Sequence, residues 1–345
     1  MSGLPVVVVG AGLAGASVAL ALSRTRPVLV LDAVGPAAGA SGAAAGIVNP
    51  FTGRRAARGW RADEARAALN RLCDAAGVPV QNTGVLRPAH DAKQAQTFRD
   101  VAATHPAEAS FLEAEAAAER FPGVVAARGA LWIPGGGHVD VGALVRGALA
   151  AAQRNGAAVQ NGHVHRWEST RESITVLADT DIAASALVLC PGSDAPGLAG
   201  GTWGRVKGQT VTLAARLPPG FPVVAGGVYV VPTPAGALVG ATYEHTFASL
   251  DADPAASVAL QARAARLVPA LAGAEHVGTR VGVRLTVPAA VSAERLPRLG
   301  LVDGDARVWL FAGLGSRGLL TGPLIAESLS AALADPSRLP PEVRF

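Results

Sequence analysis

The sequence is poor in cysteine, in lysine and in charge generally, and each shortage excludes a class of protein. Its 345 residues contain two cysteines, Cys73 and Cys190. These are too few and too far apart for a disulfide framework or a metal site, which predicts a reducing, cytoplasmic location. Lysine occurs only as Lys93 and Lys207, and no block of like charge accompanies the net charge of +4. This pattern argues against a nucleic-acid or membrane surface.

Charged residues make up 16% of the chain and apolar residues 50%, which excludes intrinsic disorder. The length predicts two domains. One uncharged stretch, Pro5 to Leu22, is long enough to resemble a membrane span. Its glycines divide it into a strand, a turn and a helix, and nothing basic precedes it as in a signal peptide, so we expect neither membrane insertion nor secretion.

A run of four valines near the amino end leads into a glycine-rich turn. Val6 to Val9 is typical of a parallel strand buried on both faces. The turn, residues 10–15, precedes a helix expected from Leu13 to Ser23 and a second strand from Val28 to Leu31. Strand, glycines, helix and strand in this order indicate a dinucleotide-binding unit.

Each glycine of this turn has a physical task. Gly10 permits the tight turn, Gly12 lets a pyrophosphate approach the backbone, and Gly15 lets the helix pack against the strand. The helix N-terminus then stabilises the phosphate charge. Asp32, at the end of the second strand, can accept hydrogen bonds from an adenosine ribose and disfavours the 2′-phosphate of NADP.

The next segment bears on the choice between FAD and NAD. Residues 39–46 are nearly all glycine, alanine or serine, and such small side chains let the backbone lie close to a flat or extended ligand. The segment runs directly into Ile47-Val48, whereas an NAD domain would continue into a third strand of the same unit. This favours FAD, with a flexible linker as the alternative interpretation.

The middle of the chain indicates an insertion into the nucleotide domain. An amphipathic helix is expected at 62–76 with Cys73 in the core, and Asp140 is interpreted as the N-cap of a helix at 141–153. Cys190 ends a buried strand beside the ligand, where a packed neutral thiol is expected. The other predicted elements are strands at 84–86, 129–133, 158–160, 163–167, 173–177 and 186–190, and a helix near 107–120.

A second domain is predicted from a change to antiparallel strands. These strands are expected at 210–213, 227–231, 237–240 and 279–286, with a helix at 254–271. The chain then returns to a buried strand at 308–313, a glycine turn at 315–318 and a helix at 321–334. The N-terminus of that last helix supplies free N–H groups and a positive dipole end.

Together these segments resemble the flavin amine oxidases of the D-amino-acid oxidase and glycine oxidase family. The resemblance covers nearly the whole chain, and it extends to the FAD domain of the bifunctional enzyme that modifies the tRNA wobble uridine, whose methyltransferase half this sequence does not contain. The motifs that carry it are GAGLAG (10–15), SGAAAGIVNP (41–50), LVLCPG (187–192), VKGQ (206–209), YVVP (229–232), GAT (240–242), GVRLTVP (282–288) and AGLGSRGLLTGP (312–323).

The resemblance implies an α/β chain, α+β overall, of two interleaved domains. A Rossmann-type FAD-binding domain (1–80, 136–203 and 296–345) alternates with a mainly antiparallel β-sheet substrate domain (81–135 and 204–295). FAD is expected to be non-covalent, because neither cysteine fits the attachment position near the flavin ring. Contacts with FAD are expected from Gly10, Gly12, Leu13, Ala14, Gly15, Asp32, Ser41, Ala45, Gly46, Val164, Cys190, Gly192, Gly313, Gly315, Ser316, Arg317, Gly318, Leu319 and Leu320.

The resemblance also assigns four catalytic side chains. Arg284 matches the family's carboxylate-binding arginine, whose planar fork can hold a carboxylate bidentately; a structural ion pair is the alternative. Tyr229 matches a hydroxyl that helps to hold the same carboxylate, and Tyr243 is expected in the same cavity, with plain packing as the alternative for both. Arg317 matches an arginine that lines the site beside the flavin.

The implied reaction is oxidation of the C–N bond of glycine or an N-substituted (N-carboxymethyl) glycine. Hydride passes to flavin N5, the imine hydrolyses to glyoxylate and an amine, and O₂ or another electron acceptor reoxidises the flavin. Gly227 and Leu285 depart from the family pattern, which leaves the substrate open. Alternatives are another D-amino acid or secondary amine, a non-catalytic FAD-binding protein, an NAD-dependent dehydrogenase, or an RNA-borne substrate, which the modest charge disfavours. No membrane partner is expected, and the oligomeric state stays open.

Overall fold

A largely parallel sheet assembled from three distant parts of the chain forms the first half of the molecule. The computed structural model describes residues 3–170, 173–195, 202–292, 294–302 and 305–345. With strands numbered in chain order, the sheet runs Ala158–Asn161 (β10), Val28–Asp32 (β2), Val6–Val9 (β1), Ala186–Leu189 (β14), Val308–Ala312 (β21) and Arg298–Leu301 (β20). All neighbours are parallel except β20 and β21.

Leu13–Ser23 (α1), Val141–Arg154 (α6) and Gly318–Ala332 (α8) pack on one face of this sheet and form its main core. Ala62–Ala76 (α3) packs on α6 and α8 and adds its buried residues to the same core. The central helix, α1, is apolar nearly all round because the sheet lies on one side of it and helices lie on the others. Asp140 caps α6 by accepting a hydrogen bond from Ala143 N at 2.8 Å, which confirms its predicted structural role.

An eight-stranded sheet forms the second half. Its spatial order is Glu275–Thr286 (β19), Gly204–Ala214 (β15), Gly236–Gly240 (β18), Tyr229–Thr233 (β17), Val223–Ala225 (β16), Val85–Pro88 (β6), Ala130–Ile133 (β8) and Ser110–Leu112 (β7). Neighbours are antiparallel except β16 and β6, which pair in parallel. Pro254–Ala265 (α7) packs on one face, and part of the opposite face borders the cavity described below.

Smaller elements complete the described fold. Ile47–Val48 (β3) pairs with Gly137–His138 (β9), and Phe51–Thr52 (β4) pairs with Ala57–Arg58 (β5). Arg166–Ser169 (β11), Ile174–Leu177 (β12) and Ile182–Ala184 (β13) form a three-stranded antiparallel sheet. The remaining helices are Ala40–Ala43 (α2), Ala92–Thr104 (α4) and Ala114–Arg120 (α5). Across the part of the chain that the structure describes, none of the helices has the length and hydropathy needed to span a bilayer.

The predicted fold class is confirmed, two predicted helices are corrected, and one helix was not predicted. Sequence reasoning missed α4, a polar helix whose N-cap Asp91 accepts a hydrogen bond from Gln94 N at 2.7 Å. The helix expected near 107–120 is β7 followed by the shorter α5, and the one expected over 254–271 ends at Ala265. Both cysteines are buried, as predicted, and burial raises the pKa of Cys73 to about 11. The exact domain boundaries stay a prediction.

Candidate active site

A cavity of about 420 Å³ lies between the eight-stranded sheet and the helices of the other half. Its walls come from four parts of the chain: residues 40–53, residues 59–65, the sheet, and residues 314–321. Segments 40–53 and 314–321 overlap two of the family motifs, SGAAAGIVNP (41–50) and AGLGSRGLLTGP (312–323). The sheet contributes polar side chains, whereas α2 and the segment after it contribute mostly small ones. One wall of the cavity can therefore form hydrogen bonds through its side chains, and the opposite wall is formed largely by alanine and glycine.

The glycine turn after β1 is packed so closely that only glycine fits at two of its positions. Gly10 has φ +103°, and a Cβ there would lie 2.2 Å from the carbonyl oxygen of Cys190. A Cβ on Gly15 would lie 1.8 Å from the carbonyl oxygen of Gly10. The turn ends at the N-terminus of α1, where the first N–H groups have no intrahelical partners. A pyrophosphate fits such a site, because it needs backbone donors and a positive dipole end.

Asp32 fastens this turn to the end of β2, a role that sequence reasoning missed. Its Oδ2 accepts a hydrogen bond from Ala11 N at 2.6 Å, and its Oδ1 accepts from Val34 N at 2.9 Å and Gly35 N at 2.6 Å. A carboxylate has about four acceptor sites, so capacity for one more donor is left. Ser41 holds the turn from the other side, since its hydroxyl accepts from Leu13 N at 3.0 Å.

The predicted FAD-binding residues form two groups, one on the cavity wall and one outside it, mostly near the carboxyl ends of the parallel strands. The turn residues pack against one another at those strand ends, and Val164 is buried in the core with Leu31 and Leu187. The predicted residues on the cavity wall are Leu13, Ser41, Ala45, Gly46, Gly315, Ser316, Arg317, Gly318, Leu319 and Leu320. Those outside the wall are Gly10, Gly12, Ala14, Gly15, Asp32, Val164, Cys190, Gly192 and Gly313.

The N-terminus of α8 forms one end of the cavity. Gly318 and Leu319 are its first residues, and both line the cavity. The first turn holds no acidic residue and has no side-chain cap, so no side chain offsets the positive dipole end at these cavity-lining residues. Arg317 directly precedes the helix; its Nη1 donates to the carbonyl oxygen of Glu294.

Arg284 lies on β19 and crosses the neighbouring strand at a glycine. A Cβ on Gly208 would lie 2.3 Å from Arg284 Nη2, so the missing side chain makes room for the guanidinium. Nη2 donates to the carbonyl oxygen of Thr242 at 2.9 Å, and the guanidinium stacks 4.2 Å from the ring centre of Tyr243. In the described part of the chain no salt bridge includes Arg284. A structural ion pair, the alternative role considered for Arg284, is therefore not found among the described residues.

Tyr229 approaches Arg284 from β17. A Cβ on Gly240 would lie 2.4 Å from Tyr229 Oη, so the phenol lies across this second glycine of the sheet. Burial raises the pKa of Tyr229, although the nearby positive charge of Arg284 lowers it in part. The hydroxyl is therefore neutral at physiological pH and can donate a hydrogen bond. Tyr243 is 61% exposed and covers the outer side of Arg284.

Arg87 and Thr210 are among the polar side chains of the cavity wall that sequence reasoning missed. Arg87 lies on β6, is 8% exposed, and donates to the carbonyl oxygens of Phe51 and Gly53. Thr210 is buried on β15, and its hydroxyl has no partner in the described structure. For Arg87 the available signal was a single charge within an otherwise apolar strand. Arg54, in the loop between β4 and β5, has an 85% exposed side chain.

A family model and curated relatives match almost the whole chain. The model described as DAO, FAD dependent oxidoreductase, matches residues 5–332. The tRNA 5-methylaminomethyl-2-thiouridine biosynthesis bifunctional protein MnmC of Thiobacillus denitrificans is 36% identical, over 94% of this chain and 55% of that protein. The protein of the same name from Maricaulis maris is 30% identical, over 95% and 52%. The chain thus spans about half the length of these relatives.

Solved structures of similar fold cover nearly the whole chain. Glycine oxidase from Geobacillus kaustophilus superposes with a TM-score of 0.83 at 24% identity, over 97% of this chain and 95% of that one. Iminodiacetate oxidase from Chelativorans sp. BNC1 gives a TM-score of 0.78 at 27% identity, over 98% and 96%. The glycine oxidase likeness establishes the fold.

Proposed function

This chain belongs to the DAO family of FAD-dependent oxidoreductases, and on that premise we propose that it oxidises the C–N bond of glycine or an N-substituted glycine. Arg284 carries the proposal. It is a guanidinium on the cavity wall with no carboxylate partner in the described structure, and its planar fork matches a substrate carboxylate. Tyr229 would donate to the same carboxylate, and Tyr243 would hold the guanidinium flat by stacking.

We propose that FAD is bound without a covalent link, and bound FAD supplies the hydride acceptor. The pyrophosphate would lie on the first turn of α1, and the remaining acceptor site of Asp32 would take a ribose hydroxyl. The N-terminus of α8 would stabilise negative charge at the pyrimidine end of the flavin. No cysteine or histidine is among the described residues of the cavity wall, which supports the non-covalent mode.

Proton handling follows from the composition of the cavity wall. Its described residues include no aspartate, glutamate or histidine, so we propose that the amine binds neutral and loses its proton to solvent beforehand. Arg284 would fix the carboxylate so that one α-hydrogen faces the flavin. As that hydrogen leaves with its electron pair, the nitrogen lone pair forms the C=N bond, and water then hydrolyses the imine to glyoxylate and the free amine.

An anaerobic screen tests this proposal. The purified holoenzyme would be mixed with glycine, sarcosine, N-ethylglycine, iminodiacetate, D-alanine and L-proline, and the loss of flavin absorbance would be followed. We expect bleaching by at least one glycine-type amine, with glyoxylate as the trapped product. Bleaching by D-alanine or L-proline alone would replace this substrate class with another. Admitting O₂ or an artificial acceptor to the reduced enzyme would then identify which of them reoxidises it.

A second candidate is the same oxidation on a carboxymethylamino group carried by tRNA. It is supported by the names of two relatives that are 36% and 30% identical, which are tRNA 5-methylaminomethyl-2-thiouridine biosynthesis proteins. A modified tRNA would then bleach the flavin at far lower concentration than the matching nucleoside, and its affinity would fall steeply with added salt. Equal concentrations of tRNA and nucleoside for half-maximal bleaching would exclude RNA recognition.

A further inference from the structure

A second arginine lies on the cavity wall, away from Arg284. The pairing of Val224 with Leu86 places Ala225 beside Arg87, and Ala225 pairs with Tyr229 on the next strand. All three residues line the cavity, so they share one face of the sheet. The spacing of strands puts the Cα atoms of Arg87 and Tyr229 about 10 Å apart. Because Tyr229 leans over Gly240, towards Arg284, Arg87 borders the opposite side of the cavity.

The contacts of Arg87 do not neutralise its charge. Nη1 donates to the carbonyl oxygen of Phe51 at 2.8 Å and Nη2 to that of Gly53 at 2.5 Å, and the guanidinium lies 5.1 Å from the ring centre of Phe98. Two of its five N–H donors are thereby used. No ion pair of the described residues includes Arg87. Burial lowers its pKa to about 10, so the group is still positively charged at neutral pH.

A buried charge without a counter-ion is costly, and an anion that enters the cavity would relieve that cost. Three cationic side chains, those of Arg87, Arg284 and Arg317, line this cavity, and no acidic side chain of the described wall offsets them. A glycine-type substrate brings one carboxylate, which the proposed function assigns to Arg284. A second anion is needed to match Arg87.

We infer that Arg87 binds an anionic group at the end of the substituent on the substrate nitrogen, so that the preferred substrate is an N-(carboxyalkyl)glycine. This inference rests on the proposed function, because it takes the first carboxylate to lie on Arg284. The free N–H donors of Arg87 would hold the second carboxylate. The amine and the α-carbon would lie between the two anchors, and the length of the alkyl spacer would decide how well both carboxylates are reached.

The first test measures anaerobic flavin reduction with two matched series. One series is N-(carboxyalkyl)glycines with one to four methylenes between nitrogen and carboxylate; the other is N-alkylglycines of equal length. For the best spacer we expect the diacid to exceed its neutral partner by about tenfold or more in the rate constant of reduction divided by Kd. In Arg87→Met this ratio should fall to about one, while the N-alkylglycine changes by less than about threefold.

A second test needs no turnover. Diglycolate and ethoxyacetate replace the reacting nitrogen by an ether oxygen, and their Kd values for the oxidised holoenzyme follow from perturbation of the flavin spectrum. We expect diglycolate to bind more tightly in the wild type and the two to bind equally in Arg87→Met. Arg87→Lys keeps the charge but loses the fork, so it should restore part of the preference.

Control variants and outcomes separate this inference from a purely structural role. Arg54→Ala removes an exposed cation near the same hairpin, β4–β5, and should leave the diacid preference unchanged. Equal losses on both series in Arg87→Met, or the same effect in Arg54→Ala, would overturn the inference. A wild type whose flavin is reduced equally well by every diacid and its neutral partner would overturn it too. If no glycine-type amine bleaches the wild-type flavin at all, the proposed function itself fails.

Discussion

The glycine turn and the cavity face of the eight-stranded sheet use opposite means to prepare a binding site. In the turn, side chains are missing where backbone must come close: a Cβ on Gly10 or Gly15 would overlap a carbonyl oxygen. On the sheet face, Gly208 and Gly240 have no side chain, and this leaves room for the side chains of Arg284 and Tyr229 to lie across the strands. Glycine thus serves backbone recognition in one region and side-chain placement in the other.

The largest expected effect tests the backbone side of this comparison. In Gly15→Ala the new methyl group would meet Gly10 O at 1.8 Å, which must displace the turn. We expect FAD to bind roughly 100-fold more weakly or to be lost, in line with about 3 kcal/mol for forced overpacking. The flavin content per chain and the Kd of reconstitution measure this.

Gly278→Ala is the matched control for that variant. It adds the same methyl group on the exposed part of β19, where no heavy atom lies within 4 Å and φ lies outside the left-handed region, and FAD content should stay unchanged. If Gly15→Ala retains FAD as tightly as Gly278→Ala, close packing of the turn does not govern cofactor binding.

A second effect, on the same scale, isolates the side-chain region. Arg284→Ala should lower the rate constant of flavin reduction divided by Kd on the order of 30- to 1000-fold, equivalent to about 2–4 kcal/mol, because a charged hydrogen-bonding partner of the substrate is removed. FAD content should stay normal. Arg205→Ala is the control, since Arg205 pairs with the neighbouring Leu285 and is exposed. A normal rate in Arg284→Ala would remove Arg284 from the site.

Tyr229→Phe should have a smaller effect on the same rate, about three- to tenfold, because one hydrogen bond is lost.

Burial raises the pKa of Tyr229, so the folded protein keeps the phenolic proton where the unfolded chain, with a pKa of about 10, releases it. This contribution to stability is complete below about pH 10 and is lost as the pH rises. Denaturation at pH 9 to 11 should show a shallower loss of stability in Tyr229→Phe than in the wild type; parallel curves would contradict this.

Tyr243→Leu is expected to show the smallest effect. The ring stacks on Arg284 at 4.2 Å but is 61% exposed, and an exposed cation–π contact contributes about 0.5–1 kcal/mol. Substrate Kd should rise about two- to fivefold with the maximal reduction rate unchanged. Tyr243→Phe keeps the ring and should match the wild type; a defect in Tyr243→Phe equal to that in Tyr243→Leu would assign the effect to the hydroxyl instead.

The glycine turn and the sheet face also differ in how far the sequence could predict them. The turn was predictable because Gly10, Gly12 and Gly15 lie within six residues and their spacing reflects local geometry. Local periodicity also located α3 at its observed bounds, 62–76. Arg87 and Tyr229, in contrast, lie 142 positions apart in the sequence. They reach the same face of the sheet only because β16 pairs with β6 on one side and with β17 on the other. Periodicity carries no information about such pairing, and α4 was missed because its polar sequence gives a weak helical pattern.

The order of strands in the parallel sheet has a consequence for synthesis of the protein. β1 is translated before both of its neighbours: β2 follows at residue 28, but β14 begins at residue 186, and β21, on the far side of β14, begins at residue 308. At about 5–20 residues per second, the valines of β1 can pair with β2 soon after synthesis but wait for many seconds for β14. During that interval one side of β1 is open to chaperones that shield apolar segments, and the cavity can close only after α8 has been translated.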